Sequence, residues 1–426
     1  MMAAARGHYD VYNLLVSEGA DLSLTDVDNK DCLMLASEGG NMSIVKHLLS
    51  LKIFDINRQG GVFRQSAVMV AAVEGHDVVY NLLVSEGADL SLTDVDNMDC
   101  LMLACERGNM SIVKHLLSLK TFDINRQRSS NRQSAVMMAA TSGHYDVYNL
   151  LVSEGADLSL TDVYNMDCLM LASEGGNMSI VKHLLSLKTF DINRQRSSNR
   201  QSAVMMAAVS GHCDVYNLLV SEGADLSLTD DNNMDCLMLA SERGNMSIVK
   251  HLLSLKTFDI NRQRSSDRQS VVMMAAARGH YDVYNLLVSE GADLSLTDKF
   301  NKACLMLACE GGNMSIVNHL LSLKTFDINR QGGFNRQSAV MMAAASGNYD
   351  VYNLLVSEGA DLSLTDKFNK DCLMLACEGG NISIVEHLLS LKQLGQGQRG
   401  LEEYITFAEE WFNQKIMNLV RSSSSR

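Results

Sequence analysis

Histidine and cysteine are the residues of this 426-residue sequence whose types and spacing could support catalysis or metal binding. The histidines form two series, typified by His144 and His183, whose members recur at intervals of 68 residues. A zinc site requires several ligands at short spacing, and the sequence contains no His-x₃-His pair and no mixed Cys–His cluster. We therefore interpret the histidines as neutral side chains that make structural hydrogen bonds.

The ten cysteines follow the same periodicity. Most of them recur at one position, typified by Cys168, or five residues after it, and no C-x-x-C motif occurs. A nucleophilic cysteine needs a nearby base, and the sequence nominates none. We expect the cysteines and most methionines to be buried core residues of a reduced protein. No enzyme activity and no cofactor is predicted.

Two further motifs match binding patterns only by chance. Residues 395–400 spell G-x-G-x-x-G, but they follow a helical pattern rather than a strand, which excludes a dinucleotide fold. Residues 26–30 resemble the start of a calcium loop, but they have lysine at the fifth position and no glycine at the sixth. Sequons such as that at Asn177 occur without a secretory signal, so we expect these asparagines to cap helices.

Internal repetition determines how these residues are positioned. The string LLVSEGADLSLTD occurs six times, always 68 residues apart, starting at Leu14, Leu82, Leu150, Leu218, Leu286 and Leu354. Each period contains two unequal halves, of which residues 134–166 and 167–201 are a typical pair.

Each half contains two helical patterns. In the first half, Ser134 is a suitable cap for a helix that reaches Ala140, and Gly143 ends this segment. A second helix is predicted over residues 146–154, followed by an extended segment over 157–160. A tight turn is then expected at Asn165, because asparagine tolerates the left-handed conformation.

The second half follows the same plan. Asp167 is the predicted cap, Gly176 the break and residues 179–187 the second helix.

The segment GHYDVYNLLVSEGADLSL (residues 143–160) resembles the second helix and exit of an ankyrin repeat, and GNMSIVKHLLSLKTFDIN resembles the same region less closely. The family's T-P-L-H motif is altered, since Ser134-Ala135-Val136-Met137 stands in its place. The resemblance implies an all-α, ankyrin-type helical solenoid of about twelve repeats with short β-turn fingers over residues 1–392. It also implies a monomeric rod that binds proteins.

Composition limits the other function classes. The formal net charge of −14 makes a nucleic-acid binder a poor hypothesis. No stretch reaches 18 uninterrupted apolar residues, and no signal peptide is visible, so we expect a protein without membrane insertion in the cytoplasm, with the nucleus as the alternative. Proline is absent throughout, as expected if one proline-free unit was copied many times.

The positions at which the copies differ indicate the candidate binding residues. Predicted turn tips change from acidic to aromatic and basic, which nominates Asp96, Tyr164, Lys299, Phe300, Lys367 and Phe368 as partner-binding residues. Neutral drift at exposed positions explains the same changes equally well. Other tips carry a line of arginines that could bind an acidic or phosphorylated partner, although a solvated charged edge is the favoured interpretation. These arginines are Arg128, Arg196 and Arg264.

The repeat pattern stops near residue 392. We expect a flexible linker over residues 393–400, an amphipathic helix over 401–421 and a disordered tail over 422–426. The helix contains Trp411, Phe412 and Ile416 and could cap the array or dock elsewhere.

Taken with the resemblance, these features predict a non-enzymatic protein-interaction scaffold. The alternative is an adaptor or sensor segment of a larger assembly, such as a ligase subunit or the cytoplasmic region of a channel. In that case the C-terminal helix would be the coupling element.

Overall fold

The computed structural model describes residues 1–393 and residue 418. Residues 1–393 form twelve consecutive pairs of short helices, and two small hairpins lie in the connections between pairs. The chain divides into two compact units, Met1–Asp225 and Leu226–Arg426. The helical repeat plan predicted from the sequence is therefore confirmed.

The described part of the first unit contains fourteen helices and two strands. They are Met2–Ala5 (α1), Tyr9–Ser17 (α2), Cys32–Glu38 (α3), Met42–Ser50 (α4), Gln59–Gly60 (β1), Gln65–Ser66 (β2), Ala67–Glu74 (α5), Asp77–Ser85 (α6), Cys100–Arg107 (α7), Met110–Ser118 (α8), Ala135–Ser142 (α9), Tyr145–Ser153 (α10), Cys168–Glu174 (α11), Met178–Ser186 (α12), Ala203–Ser210 (α13) and Cys213–Ser221 (α14). Strands β1 and β2 pair antiparallel.

The described part of the second unit contains ten helices and two strands. They are Cys236–Arg243 (α15), Met246–Ser254 (α16), Val271–Arg278 (α17), Tyr281–Ser289 (α18), Cys304–Glu310 (α19), Met314–Ser322 (α20), Gln331–Gly332 (β3), Gln337–Ser338 (β4), Ala339–Ser346 (α21), Tyr349–Ser357 (α22), Cys372–Glu378 (α23) and Ile382–Gln393 (α24). Strands β3 and β4 also pair antiparallel.

Helix boundaries agree with the predicted caps and breaks to within two residues. Helix α9 ends where Gly143 adopts a φ of 78°, a left-handed conformation that glycine enters without steric cost. Asn165 has a φ of 59°, as expected of the residue that closes the following turn. Asp167 caps α11 by accepting a hydrogen bond of 3.0 Å from the backbone N–H of Met170.

One local prediction is confirmed only in position, and another is wrong. Ser134 occupies the predicted N-cap position, but its buried hydroxyl makes no hydrogen bond. Residues 157–160 are not extended, because the Asp157 carboxylate accepts a hydrogen bond of 2.8 Å from the Ser159 N–H and bends the chain into a turn.

Within each unit, the first helices of successive pairs pack side by side. Helix α9 lies between α7 and α11, and its residues from Ala135 to Ala140 are all buried. Such a helix is apolar on every side and can exist only between neighbours, which explains why single repeats do not fold alone.

Asparagines and histidines connect successive repeats. The Nδ2 group of Asn177 donates to the carbonyl oxygens of Ala140 and Thr141, at 2.6 and 2.9 Å, at the end of the preceding first helix. His144 occupies the matching position in the other half, with Nε2 3.2 Å from the Glu106 carbonyl oxygen. Both residues satisfy carbonyls that a helix end leaves unpaired.

The role predicted for Asn177 therefore needs correction. It stands at the N-terminal boundary of α12, but its side chain makes no capping hydrogen bond to that helix. The structural role predicted for the histidines is confirmed.

The second histidine series pairs with buried tyrosines. The hydroxyl oxygen of Tyr148 lies 2.9 Å from Nδ1 of His183, and the rings meet edge to face. Burial raises the pKa of the Tyr148 phenol, so its hydroxyl stays protonated at neutral pH. The equivalent pairs in the described residues include Tyr12–His47, Tyr80–His115, Tyr284–His319 and Tyr352–His387.

Candidate functional site

Two kinds of turn, here called fingers, project from the repeats at the ends of the first helices. The short fingers are residues 26–30, 94–98, 162–166, 230–234, 298–302 and 366–370. The long fingers are residues 59–66, 127–134, 195–202, 263–270 and 331–338. Most candidate partner-binding residues lie in these segments.

An aspartate that is half-buried in the first short finger and buried in the other five holds each short finger in shape. In the third short finger, Asp162 is buried, and its Oδ1 atom accepts hydrogen bonds from the backbone N–H groups of Tyr164 and Met166, at 2.8 and 2.9 Å. Together with the left-handed Asn165, these bonds fix the backbone while leaving the tip side chains in solvent.

Backbone hydrogen bonds also join neighbouring fingers within each unit. In the first unit, the Val163 N–H donates to the carbonyl oxygen of Asn131 at 2.9 Å, and the Ser197 N–H donates to that of Tyr164 at 2.7 Å. In the second unit, the Lys299 N–H donates to the carbonyl oxygen of Asp267 at 2.7 Å. Because the fingers are coupled through their backbones, the tip side chains form an ordered row within each unit.

The predicted aromatic residues lie at such tips, one in the first unit and two in the second, and face solvent. Tyr164, Phe300 and Phe368 are 49%, 40% and 59% exposed, at the same position of three short fingers. Asp96 occupies that position in an earlier finger and is half-buried.

Two lysines accompany the exposed phenylalanines. The Lys299 ammonium lies 5.1 Å from the centroid of the Phe300 ring. The Lys367 ammonium lies 4.9 Å from the centroid of Phe368 and 3.1 Å from that of Phe334, so the structure joins two fingers by cation–π contacts.

Sequence reasoning missed Phe63 and Phe334. Both lie at the tips of long fingers and are 58% and 73% exposed. The available signal was the replacement of the usual Arg-Ser-Ser by Gly-Gly followed by an apolar residue, as in residues 60–62 and 332–334.

The predicted arginines already have partners within the chain. Arg128 lies 3.5 Å from Glu106, and Arg196 lies 3.7 Å from Glu174. Arg264 contacts Glu242 at 3.5 Å and Asp267 at 2.5 Å, and these carboxylates raise the pKa of its guanidinium. Each arginine thus belongs to a half-buried ion pair at the base of its long finger.

A correlated exchange maintains the same ion pair in the glycine-containing fingers. Where the long finger has Gly60 instead of arginine, residue 30 is lysine, and its Nζ lies 2.8 Å from Glu38. Where the finger has Arg128, the residue equivalent to Lys30 is the buried Met98. Gly332 and Lys302 repeat the first arrangement, with Lys302 2.6 Å from Glu310.

The cysteines are predominantly core residues, as predicted. All ten are free thiols, and nine are buried. Burial raises the pKa of the Cys304 thiol to about 12, far from the reactive thiolate range. Among the residues that the structure describes, no histidine, cysteine and carboxylate side chains cluster as a metal site would require.

The repeats described above match a known protein family. The model of ankyrin repeats, in its three-copy form, matches successive overlapping segments from residues 1–94 to 305–397. The chain belongs to the ankyrin repeat family. The helix pairs and fingers described above therefore form an ankyrin array. Ankyrin repeats are protein-interaction modules.

Curated relatives include large proteins of several kinds. The ankyrin array is 28% identical over 409 residues to the ankyrin repeat and KH domain-containing protein mask-1 of Caenorhabditis elegans, covering 91% of this chain and 15% of that protein. It is 23% identical over 330 residues to human transient receptor potential cation channel subfamily A member 1, covering 66% and 29%.

A third relative is the probable E3 ubiquitin-protein ligase XBOS32 of Oryza sativa subsp. japonica. It is 25% identical over 210 residues, covering 48% of this chain and 41% of that protein. The chain thus spans less than half the length of each of these relatives.

Two remaining predictions concern membranes and the C-terminal segment. No helix in residues 1–393 combines the length and apolar character that crossing a bilayer requires. Trp411, Phe412 and Ile416 lie outside the described residues.

Proposed function

We propose that this protein is a non-enzymatic scaffold that binds a partner protein along its finger tips and first-helix face. Membership in the ankyrin repeat family supports an interaction role in general. The finer assignment depends on one observation, which is the location of the differences between near-identical copies.

Exposure alone does not explain those differences. Ser153 and Glu154, at the end of a second helix, are exposed, yet both residues are identical in all six copies of their string. Positions 163 and 164 are also exposed, and they read Val-Asp, Val-Tyr, Asp-Asn or Lys-Phe in different copies. Neutral drift at solvent-facing positions would change both surfaces, so this contrast favours specialisation of the fingers.

Exposed aromatics are the proposed anchors. Tyr164, Phe300 and Phe368 offer large, rigid contact surfaces, which are the side chains that commonly dominate binding energy. Lys299 and Lys367 lie beside two of them and add positive charge.

The remaining candidates supply charge at other fingers. Asp96 offers a carboxylate in the first unit, and Arg128, Arg196 and Arg264 contribute through the parts of their guanidinium groups that their ion pairs leave exposed.

The acidic composition favours a protein partner rather than nucleic acid. The ten free thiols favour a reducing compartment, so we place the protein in the cytoplasm, or alternatively the nucleus. We further propose that it acts as a monomer, which light scattering after size-exclusion chromatography would test.

Affinity capture tests the proposal. The intact chain is compared with a variant in which all six short fingers carry the sequence of residues 95–97, while the buried aspartates stay unchanged. A control variant carries alanine in place of the exposed serine equivalent to Ser153 in every copy. We expect the finger variant to lose proteins that the intact chain and the control both retain. Equal recovery by all three would refute the proposed binding surface.

The second candidate is an adaptor or sensor segment of a larger assembly. It is favoured by the relatives, which include a cation channel and a probable ubiquitin ligase that this chain matches only in part. In this hypothesis residues 393–400 are a linker and residues 401–421 are the coupling helix. Deleting residues 393–426 then abolishes partner binding while the melting temperature of the array is retained, whereas a capping helix predicts loss of stability.

A further inference from the structure

A cleft opens between fingers of the first unit. It has a volume of about 460 Å³ and lies between residues 28–30, 60–65 and 94–98, with helices α5 and α7 at its base. Its apolar lining includes Val62 and Phe63, which are 74% and 58% exposed. Two apolar side chains this exposed at a finger tip are available to contact another molecule.

The cleft exists because the first long finger lacks an arginine. At the equivalent position of the next long finger, Arg128 extends towards Glu106. Gly60 has no side chain, and a Cβ atom there would collide with the carbonyl oxygen of Asn29. Lys30 supplies the missing charge from the short finger, so the volume that arginine takes in the second, third and fourth long fingers stays open.

Unbalanced negative charge surrounds this volume. Six carboxylates and three cations line the cleft. Lys30 and Arg128 are each paired with a glutamate, Asp94 accepts backbone hydrogen bonds, and Arg107 is the one lining cation with no ion-pair partner among the described residues. The other three carboxylates have no hydrogen-bond or ion-pair partner among the described residues. They belong to Asp28, Glu74 and Asp96.

We propose that this cleft binds a short segment of a partner protein in which an apolar side chain is flanked by lysine or arginine. The apolar residue packs against Val62 and Phe63, and the flanking cations pair with the carboxylates of Glu74 and Asp96. The inference rests on the proposed function, because it names the partner chemistry for one part of the finger surface.

A sister region in the second unit comprises residues 298–302, 331–338 and 366–370. It also has a glycine-containing long finger, but its charged and apolar side chains differ from those of the cleft. Phe300, Ser346 and Phe368 stand where the cleft has its three unpaired carboxylates, and Lys367 stands in place of Val95. The Lys367 ammonium contacts the ring of Phe334, the equivalent of Val62. The negative charge is therefore specific to the first cleft and is not a general property of glycine-containing fingers.

Fluorescence anisotropy on the full chain tests the proposal. The probes are two sets of fluorescein-labelled peptides with a central leucine or phenylalanine, flanked on both sides by lysine and arginine or, in the second set, by glutamate. We expect the basic set to bind, with affinity that falls as sodium chloride increases, and the acidic set not to bind.

Two variants separate charge from shape. Glu74→Gln combined with Asp96→Asn keeps the shape and is expected to weaken binding of the basic peptides about tenfold, as two partly exposed ion pairs would. Glu74→Ser with Asp96→Phe copies the sister region and should weaken it at least as much. Glu86→Gln, an exposed charge change on an outer loop, should leave the affinity unchanged.

Equal binding of both peptide sets, no binding of either, or an unchanged affinity in the Glu74 and Asp96 variants would overturn the cleft assignment. None of these results would alter the outcome of the finger capture experiment, so the two proposals fail separately.

Discussion

Replacing Ala303 by aspartate is expected to stabilise one helix of the array. Ala303 stands at the N-cap of α19 and provides no capping side chain. Its equivalents are aspartates that each accept a hydrogen bond of 2.9 to 3.0 Å from the first turn of the helix, namely Asp31, Asp99, Asp167, Asp235 and Asp371. A cavity of about 200 Å³ includes Ala303 and Arg330 in its lining, so the larger side chain fits.

Three terms determine the size of the gain. A capping carboxylate contributes about 1 kcal/mol. A partly exposed ion pair with Arg330, like that of Asp167 with Arg194 at 3.2 Å, adds about 0.5 kcal/mol. Desolvation opposes both, because burial raises the pKa of Asp99 and Asp167 above the usual value. The net expectation is about 1 kcal/mol in favour of Ala303→Asp.

Hydrogen exchange measures this local effect. A gain of about 1 kcal/mol slows amide exchange in residues 304–310 about fivefold where exchange occurs by local opening. Ala303→Asn should give a similar gain, because its amide oxygen caps without a buried charge. Asp167→Ala is the matched loss and should accelerate exchange in α11.

The desolvation term gives this prediction a pH dependence. If the pKa of an aspartate at position 303 is raised like that of Asp167, the carboxyl group contributes its full stability below its unfolded pKa. Part of that contribution is lost as the pH rises through its folded pKa. Unchanged or faster exchange in α19 of Ala303→Asp, alongside the expected acceleration in α11 of Asp167→Ala, would refute the reasoning.

Three further predictions concern contacts inside the array. Asn177→Ala should cost about 1 to 2 kcal/mol by leaving helix-end carbonyls without their donor, and hydrogen exchange in α9 should accelerate while Asn177→His retains part of the protection. Above pH 10 the free energy of unfolding should fall as the pH rises towards the raised pKa of Tyr148, and Tyr148→Phe should reduce that slope in denaturant titrations at several pH values. Arg128→Gly should destabilise the second long finger by leaving Glu106 unpaired, and adding Met98→Lys with Ser129→Gly should restore protease resistance there; no recovery would contradict the charge exchange.

Most of the fold could be predicted because the helix signals are local. Glycines at the breaks, aspartate at a cap and the repeat period place Ala135–Ser142 and Tyr145–Ser153 to within two residues. The cap at Ser134 and the segment after Asp157 were mispredicted for a different reason. At Asp157, a side-chain hydrogen bond decides between alternatives that residue types alone allow, whereas the residue type of Ser134 does not reveal that its hydroxyl forms no capping bond.

The candidate site was less predictable, because it depends on contacts between repeats. The positions of Tyr164 and Phe300 followed from variation among copies, but the pairing of Arg128 with Glu106 joins residues far apart in the sequence. The role of Asn177 was missed for the same reason, since its partners belong to the preceding repeat. Exposed Phe63 carried only a weak signal, because it replaces asparagine in one finger.

The exchange between lysine and arginine partners of the conserved glutamate restricts how the array can change its copy number. Near-identical copies invite unequal recombination. Consider a crossover between a copy of each type, at a point between the positions equivalent to Met98 and Arg128. One product would combine methionine with a glycine-containing long finger, and the other would combine lysine with an arginine-containing long finger. The first product leaves a half-buried glutamate without a cation, and the second places two cations against one carboxylate. Gains and losses of repeats by exchange between the two types of copy therefore preserve this ion pair only when their breakpoints lie outside this interval of about thirty residues.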